Sequence, residues 1–344
     1  MFGTVKKILN KIFLHPAFKQ TLVEISKIKE IRFQPNPIKE KFDFEQFSPL
    51  EGGGSIKALE NELRIKLDSK FGCELAKNND ISAYDESFNK YSSLAGSGLL
   101  TSHSLIVHGK SDYFSSNNLT FYFYTRSEEI ANKSEYIKKS SDSELDSRRD
   151  YAIDRTNFII ETAPENSIIF IDGPLLAGVS NPYNIKMNNE LLKMNTIPIF
   201  IVKNSNSNLV TESIPDLRKK FNSDMHWAFT LLDPGFRTNF YMYEDIHNKD
   251  FSKIFCYLKS FNISPQRIEF HVKTFEKYQD ILNEMMHLIY YLVLVQGNLK
   301  NPQVRSIAIA EKFARETLNL FDMRNLMKSL GLTPTMNQER GFGG

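Results

Sequence analysis

The chain has 344 residues, of which 41% are hydrophobic and 24% are charged, and its formal net charge is +2. This length allows one large domain with an appendage, or two domains, around a sizeable core. The near-neutral charge fits an ordinary soluble protein, and it does not exclude a nucleic-acid-binding protein that concentrates a basic face on a neutral body.

Cysteine content and hydropathy bear on the location of the protein. The two cysteines, Cys73 and Cys256, are far apart in the sequence. This argues against a disulfide framework and against a Cys/His zinc site, so a reducing cytoplasm is expected. The most apolar helical stretch, residues 285–295, is too short for a membrane span, which needs about 20 apolar residues. We therefore expect a cytoplasmic protein with no membrane segment.

Residues 1–87 are predicted to form an N-terminal region of helices and extended chain. A helix or helix pair is broken near Pro16, and residues 56–71 show helical periodicity through Leu59, Leu63 and Leu67. Residues 5–13 form an amphipathic segment with apolar and lysine positions. Such a segment could dock on a partner protein or pack on the body of the same chain.

From about residue 88 the pattern changes to short apolar strands separated by helix-length segments. This alternation predicts an α/β fold with a partly parallel, mixed sheet. The predicted helices cover residues 143–162 and most of residues 277–330, which form long C-terminal helices. The predicted strands cover residues 105–107, 119–125, 168–171, 197–202, 229–232, 237–243 and 267–272.

The best local signal for chemistry is the buried strand that ends at Asp172-Gly173. Carboxylates at strand ends of open α/β sheets are where ligands and metals gather. The alternative is that Asp-Gly simply makes a turn. The preceding helix carries Asp154 on an aromatic face, where a divalent cation or a neighbouring arginine, Arg148 or Arg155, could balance its charge.

Three cationic or titratable side chains could contact phosphate groups. Lys203 follows the strand at residues 197–202 and could hold a scissile phosphate near Asp172. Arg237 and His226 are further candidates for DNA binding. Residues of these types are more often ordinary surface residues than catalytic ones.

These segments follow one another in an order that resembles the NurA nuclease family. The resemblance covers roughly residues 88–330, and it rests on order and spacing, since none of the motifs is specific alone. In sequence order they are a Gly-Ser loop (Leu94-Ala95-Gly96-Ser97-Gly98), an acidic helix, the Ile171-Asp172-Gly173 strand end, the strand before Lys203, Asp233-Pro234-Gly235, Glu269-Phe270-His271, and Asn301-Pro302 ahead of Ala308-Ile309.

The resemblance implies a fold, an activity and partners. It implies an RNase H-like mixed sheet with flanking helices over residues 88–344. It also implies DNA cleavage with Mn²⁺ or Mg²⁺, a homodimer, and a partnership with the hexameric ATPase HerA. DNA repair and antiviral defence are the roles expected for such a pair.

The family's site residues can be carried onto this sequence by position. The strand-end aspartate falls on Asp172, the helical acidic ligand on Asp154 and the strand-end lysine on Lys203. The first metal-binding aspartate falls on Ala95, which cannot bind a metal. The tyrosine and histidine of the late motif fall on Asn301 and Ile309 and are absent, with Glu311 as a possible substitute ligand.

The absence of an aspartate at position 95 predicts that this form of the nuclease is inactive, because metal-dependent phosphodiester cleavage needs several carboxylates. An introduced inactivating substitution or natural divergence could explain it, and we favour the first. The alternatives are a non-catalytic NurA-like scaffold that binds DNA or the ATPase, and an unrelated α/β protein.

Overall fold

The computed structural model describes residues 17–30, 49–50, 53–108, 113–295, 299 and 302–336. The chain divides into two units, Met1–Lys39 and Glu40–Gly344. The described part of the first unit is helix α1 (Ala17–Glu30), which begins directly after Pro16, where the sequence predicts a break. The predicted docking segment at residues 5–13 lies outside the described residues.

In the described residues of the second unit, twelve strands form one sheet with helices packed on it. The strands are β1 (Gly54–Ala58), β2 (Arg64–Lys66), β3 (Ile81–Ser92), β4 (Ser97–His108), β5 (Tyr113–Thr125), β6 (Ile137–Lys139), β7 (Ile168–Asp172), β8 (Ile197–Val202), β9 (Phe236–Thr238), β10 (Tyr241–Asp245), β11 (Lys253–Lys259) and β12 (Gln266–His271). The helices are α2 (Ser69–Asn78), α3 (Glu128–Ala131), α4 (Ser143–Thr162), α5 (Asn181–Lys193), α6 (Leu209–Ser213), α7 (Asp224–Leu231), α8 (Val272–Val295), α9 (Arg305–Leu318) and α10 (Met323–Ser329).

The sheet is mixed, as predicted. β3, β4 and β5 form an antiparallel meander, and β7 and then β8 add in parallel on the other side of β3. This is the RNase H-like strand order. β12, β11, β10 and β1 extend the sheet beyond β8 by antiparallel pairing. The sheet thus places β3, β7 and β8 side by side at its centre.

Alternation along the central strands fills two separate cores. On one face, residues such as Ala83, Phe170 and Ile199 pack with α8 and α9. On the other face, neighbouring residues such as Tyr84 and Ile171 pack with α4 and α5. Because successive strand residues point to opposite faces, the residue number alone tells which face a strand-end side chain will occupy.

The turn after β7 is set by backbone geometry. Gly173 has φ +96°, a conformation that glycine adopts without the steric cost of a Cβ atom. The amide of Leu175 is then bound by the buried carboxylate of Glu269, at 2.8 Å. The chain therefore leaves the sheet directly after Asp172, and the aspartate stays at the open end of the strand.

Several sequence predictions about secondary structure are correct and others are wrong. Helix α4, strands β7, β8 and β12, and the C-terminal helices lie where predicted. Residues 56–71 form two short strands and the start of α2, and residues 229–232 belong largely to helix α7. The predicted domain boundary between residues 87 and 88 lies inside β3, whose hydrogen bonds to β4 and β7 tie it to the sheet. Among the described helices, none is long and apolar enough to cross a bilayer.

Candidate active site

Three central strands end side by side and direct polar side chains to one face of the sheet. β3 and β7 are parallel, with Tyr84 opposite Ile171, and Asp85 and Asp172 are the next residues. Lys203 directly follows β8, which pairs with β7. By strand alternation, Asp85, Asp172 and Lys203 all lie on the face that carries α8 and α9.

The ammonium group of Lys203 lies among three carboxylates. Its Nζ is 2.9 Å from Asp172 Oδ2 and 3.9 Å from Asp85 Oδ2. Glu311 Oε2, on α9, is 3.6 Å away. Burial disfavours the charged ammonium, but the carboxylates of Asp172, Asp85 and Glu311 together outweigh burial and raise the pKa of Lys203. We call Asp85, Asp172 and Glu311 the carboxylate cluster.

The two aspartates of the carboxylate cluster are poorly solvated. Burial raises the pKa of Asp85 from 3.8 to about 8, and the charges of Asp172 and Glu86 add to this rise. Burial also raises the pKa of Asp172, although Lys203 opposes the change. Buried carboxylates that repel each other and share one ammonium group favour the approach of a further cation.

Glu311 joins the carboxylate cluster from the opposite helix layer. Its Oε2 accepts a hydrogen bond from Gln303 Nε2 at 3.2 Å, and its Oε1 is paired with Arg315. Burial opposes ionisation, but the Gln303 hydrogen bond and the charge of Lys203 together lower the pKa of Glu311. The sequence suggested Glu311 as a substitute ligand, and the structure places it within reach of Lys203. Its role as a ligand remains a prediction.

Arg155 lies on the other face of the sheet, where α4 packs against the strand ends. Its Nη2 donates to the backbone carbonyl of Asp172 at 3.2 Å, and its Nη1 donates to Asn184 Oδ1 at 3.3 Å. Its Nε is 3.9 Å from Glu86 Oε2. Arg155 therefore binds the backbone at the end of β7 from the face that carries α4. Lys203 contacts the Asp172 carboxylate on the opposite face, which carries α8 and α9.

The donor set of the site fits a hard divalent cation. Carboxylate oxygens are the ligands that Mg²⁺ and Mn²⁺ prefer. Three carboxylates already lie around the single positive charge of Lys203. A fourth carboxylate, that of Glu86, has a buried oxygen, Oε2, that accepts no hydrogen bond. Among the described residues, no three acidic, histidine or cysteine side chains are already arranged around one point as metal ligands. The cluster is thus held together by Lys203 and would need a rearrangement of side chains to bind a metal.

Asp154 is not part of this group. Its carboxylate accepts hydrogen bonds from Thr120 Oγ1 at 3.1 Å and from the Tyr122 hydroxyl at 2.8 Å, both on β5. The sheet order puts β3 and β4 between β5 and β7, a separation of about 14 Å at the usual strand spacing. The predicted role of Asp154 as a metal ligand beside Asp172 is therefore contradicted. The residue of α4 that faces the end of β7 is its neighbour, Arg155.

Ala95 is also remote from Asp172. It lies in the turn between β3 and β4, where its carbonyl accepts a hydrogen bond from Thr125 Oγ1 at 2.8 Å. From Asp85, β3 runs on to Ser92, and seven strand steps of about 3.3 Å carry the chain about 23 Å away. An aspartate at position 95 would not reach the site. The first aspartate of the site is Asp85, so the expectation of a missing carboxylate at Ala95 is wrong.

The two other candidate DNA contacts also need revision or remain open. Arg237 is 2% exposed, and its guanidinium binds Glu60 at 2.7 and 2.8 Å and Asn283 at 2.6 Å. The predicted DNA contact of Arg237 is therefore contradicted, because its donors serve a buried ion pair. The half-buried ring of His226 packs against Phe221 at the start of α7, and its DNA-binding role remains a prediction.

The sequence does not indicate that Asp85 and Glu86 belong to the site, and it does not indicate that Arg155 contacts the end of β7. All of β3 went unrecognised because its middle is polar, which hides the apolar alternation that begins at Ile81 and Ala83. Those two residues, followed by an aspartate and then two further strands, were the available signal. Arg155 was noted only as a possible surface partner of Asp154.

The buried Asp85 predicts an effect of pH on the metal-free protein. Between pH 4 and 8 the folded state keeps a proton on Asp85 that the unfolded state has released. Stability is therefore lost as pH rises through this window, and Asp85→Asn removes the loss. We expect Asp85→Asn to gain roughly 1–3 kcal/mol in the free energy of unfolding at pH 8 and little at pH 4.

The measurement is thermal or urea denaturation in the presence of chelator across this pH range. It gives the gap, meaning the difference in the free energy of unfolding between Asp85→Asn and the unmodified protein. Asp233→Asn is the matched control, since the side chain of Asp233 is 72% exposed, and it should show no gap that grows with pH. A gap for Asp85→Asn that is constant with pH, or that shrinks towards pH 8, would contradict the expectation.

Comparison with known proteins identifies the family and the fold of the chain. The family model described as the NurA domain matches residues 22–315. The NurA nuclease from Sulfolobus solfataricus superposes with a TM-score of 0.50 at 11% sequence identity, over 92% of this chain and 98% of that chain. A second NurA structure matches with a TM-score of 0.37 at 10% identity, over 86% and 92% of the two chains. A comparison with curated proteins finds no significant match. Since the family model spans most of the sequence and the sheet has the same fold as a solved NurA nuclease, the chain belongs to the NurA family.

Proposed function

We propose that this member of the NurA nuclease family is a metal-dependent deoxyribonuclease that hydrolyses phosphodiester bonds. The observation that carries the proposal is the convergence of Asp85, Asp172 and Glu311 on Lys203 at the open ends of the central strands. Buried carboxylates with a lysine beside them are the groups that cation-assisted phosphodiester cleavage needs.

The chain's own side chains would divide the work between charge and position. Asp85, Asp172 and Glu311 would hold Mn²⁺ or Mg²⁺, which supplies an activated water and neutralises charge on the phosphate. The Lys203 ammonium, once released from Asp172, would donate to a non-bridging oxygen of the scissile phosphate. Arg155 would keep the end of β7 in place through the Asp172 carbonyl. A water molecule would lose a proton and add to phosphorus, the bond from phosphorus to the leaving deoxyribose oxygen would break, and that oxygen would take up a proton.

Family membership supports a proposal about partners and biological role. We propose that the chain acts on DNA ends or single strands, as a homodimer, beside a HerA-type hexameric ATPase. DNA binding would depend strongly on salt, because the phosphates would supply most of the contacts. The two free cysteines, Cys73 and Cys256, fit a cytoplasmic enzyme. Repair and antiviral degradation of DNA are both compatible with this activity.

One observation favours a second candidate, a non-catalytic NurA-like scaffold. Arg155 places a cation on the α4 face that meets the end of β7, where the family resemblance leads us to expect an acidic ligand. A cation in that position lowers the affinity of a site for metal ions. The scaffold would bind DNA or the ATPase without cutting.

A cleavage assay separates the two candidates. Chelator-treated protein is incubated with linear duplex and single-stranded DNA, with Mn²⁺, Mg²⁺ or EDTA, with and without a HerA-type ATPase. We expect cleavage that requires the added metal and stops with EDTA. DNA or ATPase binding without cleavage under every condition would refute the nuclease and support the scaffold.

A further inference from the structure

The guanidinium of Arg155 is a built-in positive charge at the base of the site. The side chain is 7% exposed, and the group lies 5.4 Å from the centre of the Tyr84 ring. Its two terminal nitrogens are bound to the Asp172 carbonyl and Asn184. Its Nε forms no hydrogen bond and is 3.9 Å from Glu86 Oε2. Arg155 is therefore fixed in place and directed at a carboxylate beside the cluster.

The charges around the strand ends are unequal in number. Four carboxylates lie there, namely Asp85, Glu86, Asp172 and Glu311. Two largely buried cations, Lys203 and Arg155, contact them, and Arg315 pairs with Glu311 Oε1 from the solvent side. Because Arg315 is 63% exposed, solvent screens its charge. Within the site, two negative charges are therefore not balanced by a buried cation when all of these groups are ionised. One divalent cation balances them, whereas a second would leave two excess positive charges in a largely buried site.

The position of Arg155 also removes a ligand. Sites that hold two metal ions about 3.5–4 Å apart need carboxylates on both sides of the pair. On the α4 side of β3, the candidate oxygen ligand is Glu86, and its partner is the Arg155 guanidinium. A cation on that side would have to compete with a charge that cannot be removed, since arginine stays protonated in proteins.

We propose that this site holds one divalent cation and that Arg155 supplies the positive charge that a second ion would supply. This inference rests on the proposed metal-dependent nuclease function. It differs from the two-ion arrangement that we would otherwise expect for phosphodiester hydrolysis.

The test is the number of Mn²⁺ ions bound by the full-length protein after treatment with chelator. Isothermal titration calorimetry, checked by metal analysis after equilibrium dialysis, is expected to give one ion per chain. Two ions per chain would overturn the inference and leave the nuclease proposal intact. No Mn²⁺ binding would overturn both.

Charge variants at position 155 sharpen the test. Arg155→Lys keeps the charge and should still bind one ion per chain. Arg155→Glu should bind a second ion, and added Mn²⁺ should raise its Tm by more than it raises the Tm of the unmodified protein. Arg148→Glu, an exposed position on the same helix, makes the same charge change and should still bind one ion. Circular dichroism tests the folding of each variant, and the unmodified protein and Arg155→Lys decide the outcome if Arg155→Glu does not fold. If Arg148→Glu also binds a second ion, the net charge of the chain, and not Arg155, determines the number of ions bound per chain.

Discussion

Asp172→Asn and Asp85→Asn are each expected to lower the rate of DNA cleavage by at least about 100-fold, because each removes a carboxylate that would hold the metal ion. Asp172 is 2.9 Å from Lys203, so its loss also changes how that ammonium is held. The measurement is the single-turnover rate on linear DNA with saturating Mn²⁺. Each variant should still bind DNA, since phosphate contacts dominate affinity.

Two matched variants test whether the site has been located correctly. Asp154→Asn changes a carboxylate that is bonded to Thr120 and Tyr122, and Ala95→Asp adds one in the turn between β3 and β4. Both are expected to keep the original rate within about threefold, as for residues away from the reacting groups. A loss of activity in Asp154→Asn, or a gain of about tenfold or more in Ala95→Asp, would return the metal site to those positions and refute the assignment of Asp85.

Arg237→Ala is expected to destabilise the fold by about 3–5 kcal/mol, the usual result of breaking a buried ion pair. The guanidinium bridges Glu60 and Asn283, and it also lies 4.2 Å from the centre of the Phe240 ring. Its removal leaves Glu60, the residue whose carboxylate also accepts from the Phe240 amide, without its counter-charge. Urea denaturation followed by circular dichroism measures the change.

The same variant distinguishes a structural arginine from a DNA-binding one. Arg148→Ala is the control, since Arg148 is 63% exposed and pairs with Glu144 on its own helix, an interaction worth about 0.3–0.5 kcal/mol. DNA affinity of folded Arg237→Ala, and its dependence on salt, should equal that of the original protein. A normal stability combined with weaker, less salt-dependent DNA binding would mean that Arg237 contacts phosphate after all.

The elements that could be read from the sequence are those whose local pattern and tertiary environment agree. β7 and β8 are continuous apolar runs, and both are buried on two faces by helices. Helix α4 begins at Ser143, and the preceding Asp142 side chain accepts hydrogen bonds from the amides of Glu144 and Leu145. Such a cap is a local feature. The aromatic and apolar run at residues 229–232 is compatible with both a strand and a helix, so the sequence wrongly predicts a strand there. In the structure these residues belong largely to α7, whose N-terminus is capped by the Ser223 side chain. The buried residues of α7 stabilise it as a helix by packing against the rest of the fold.

The sequence by itself determined that the chain has an α/β fold, that a carboxylate stands at the end of a buried strand at Asp172, and that Lys203 follows the neighbouring strand. Those features depend on local periodicity and on the parallel order of adjacent strands.

Only the tertiary structure decided which other side chains lie close to Asp172 and Lys203. Asp85 lies on a strand whose polar middle gives no periodic signal, and Glu311 reaches the site from a helix more than a hundred residues later. Asp154 and Arg155 are neighbours on α4, and a rotation of about 100° between consecutive helix residues directs the first to β5 and the second to the end of β7. Side-chain direction of this kind depends on how a helix is placed over its sheet, which one sequence does not reveal.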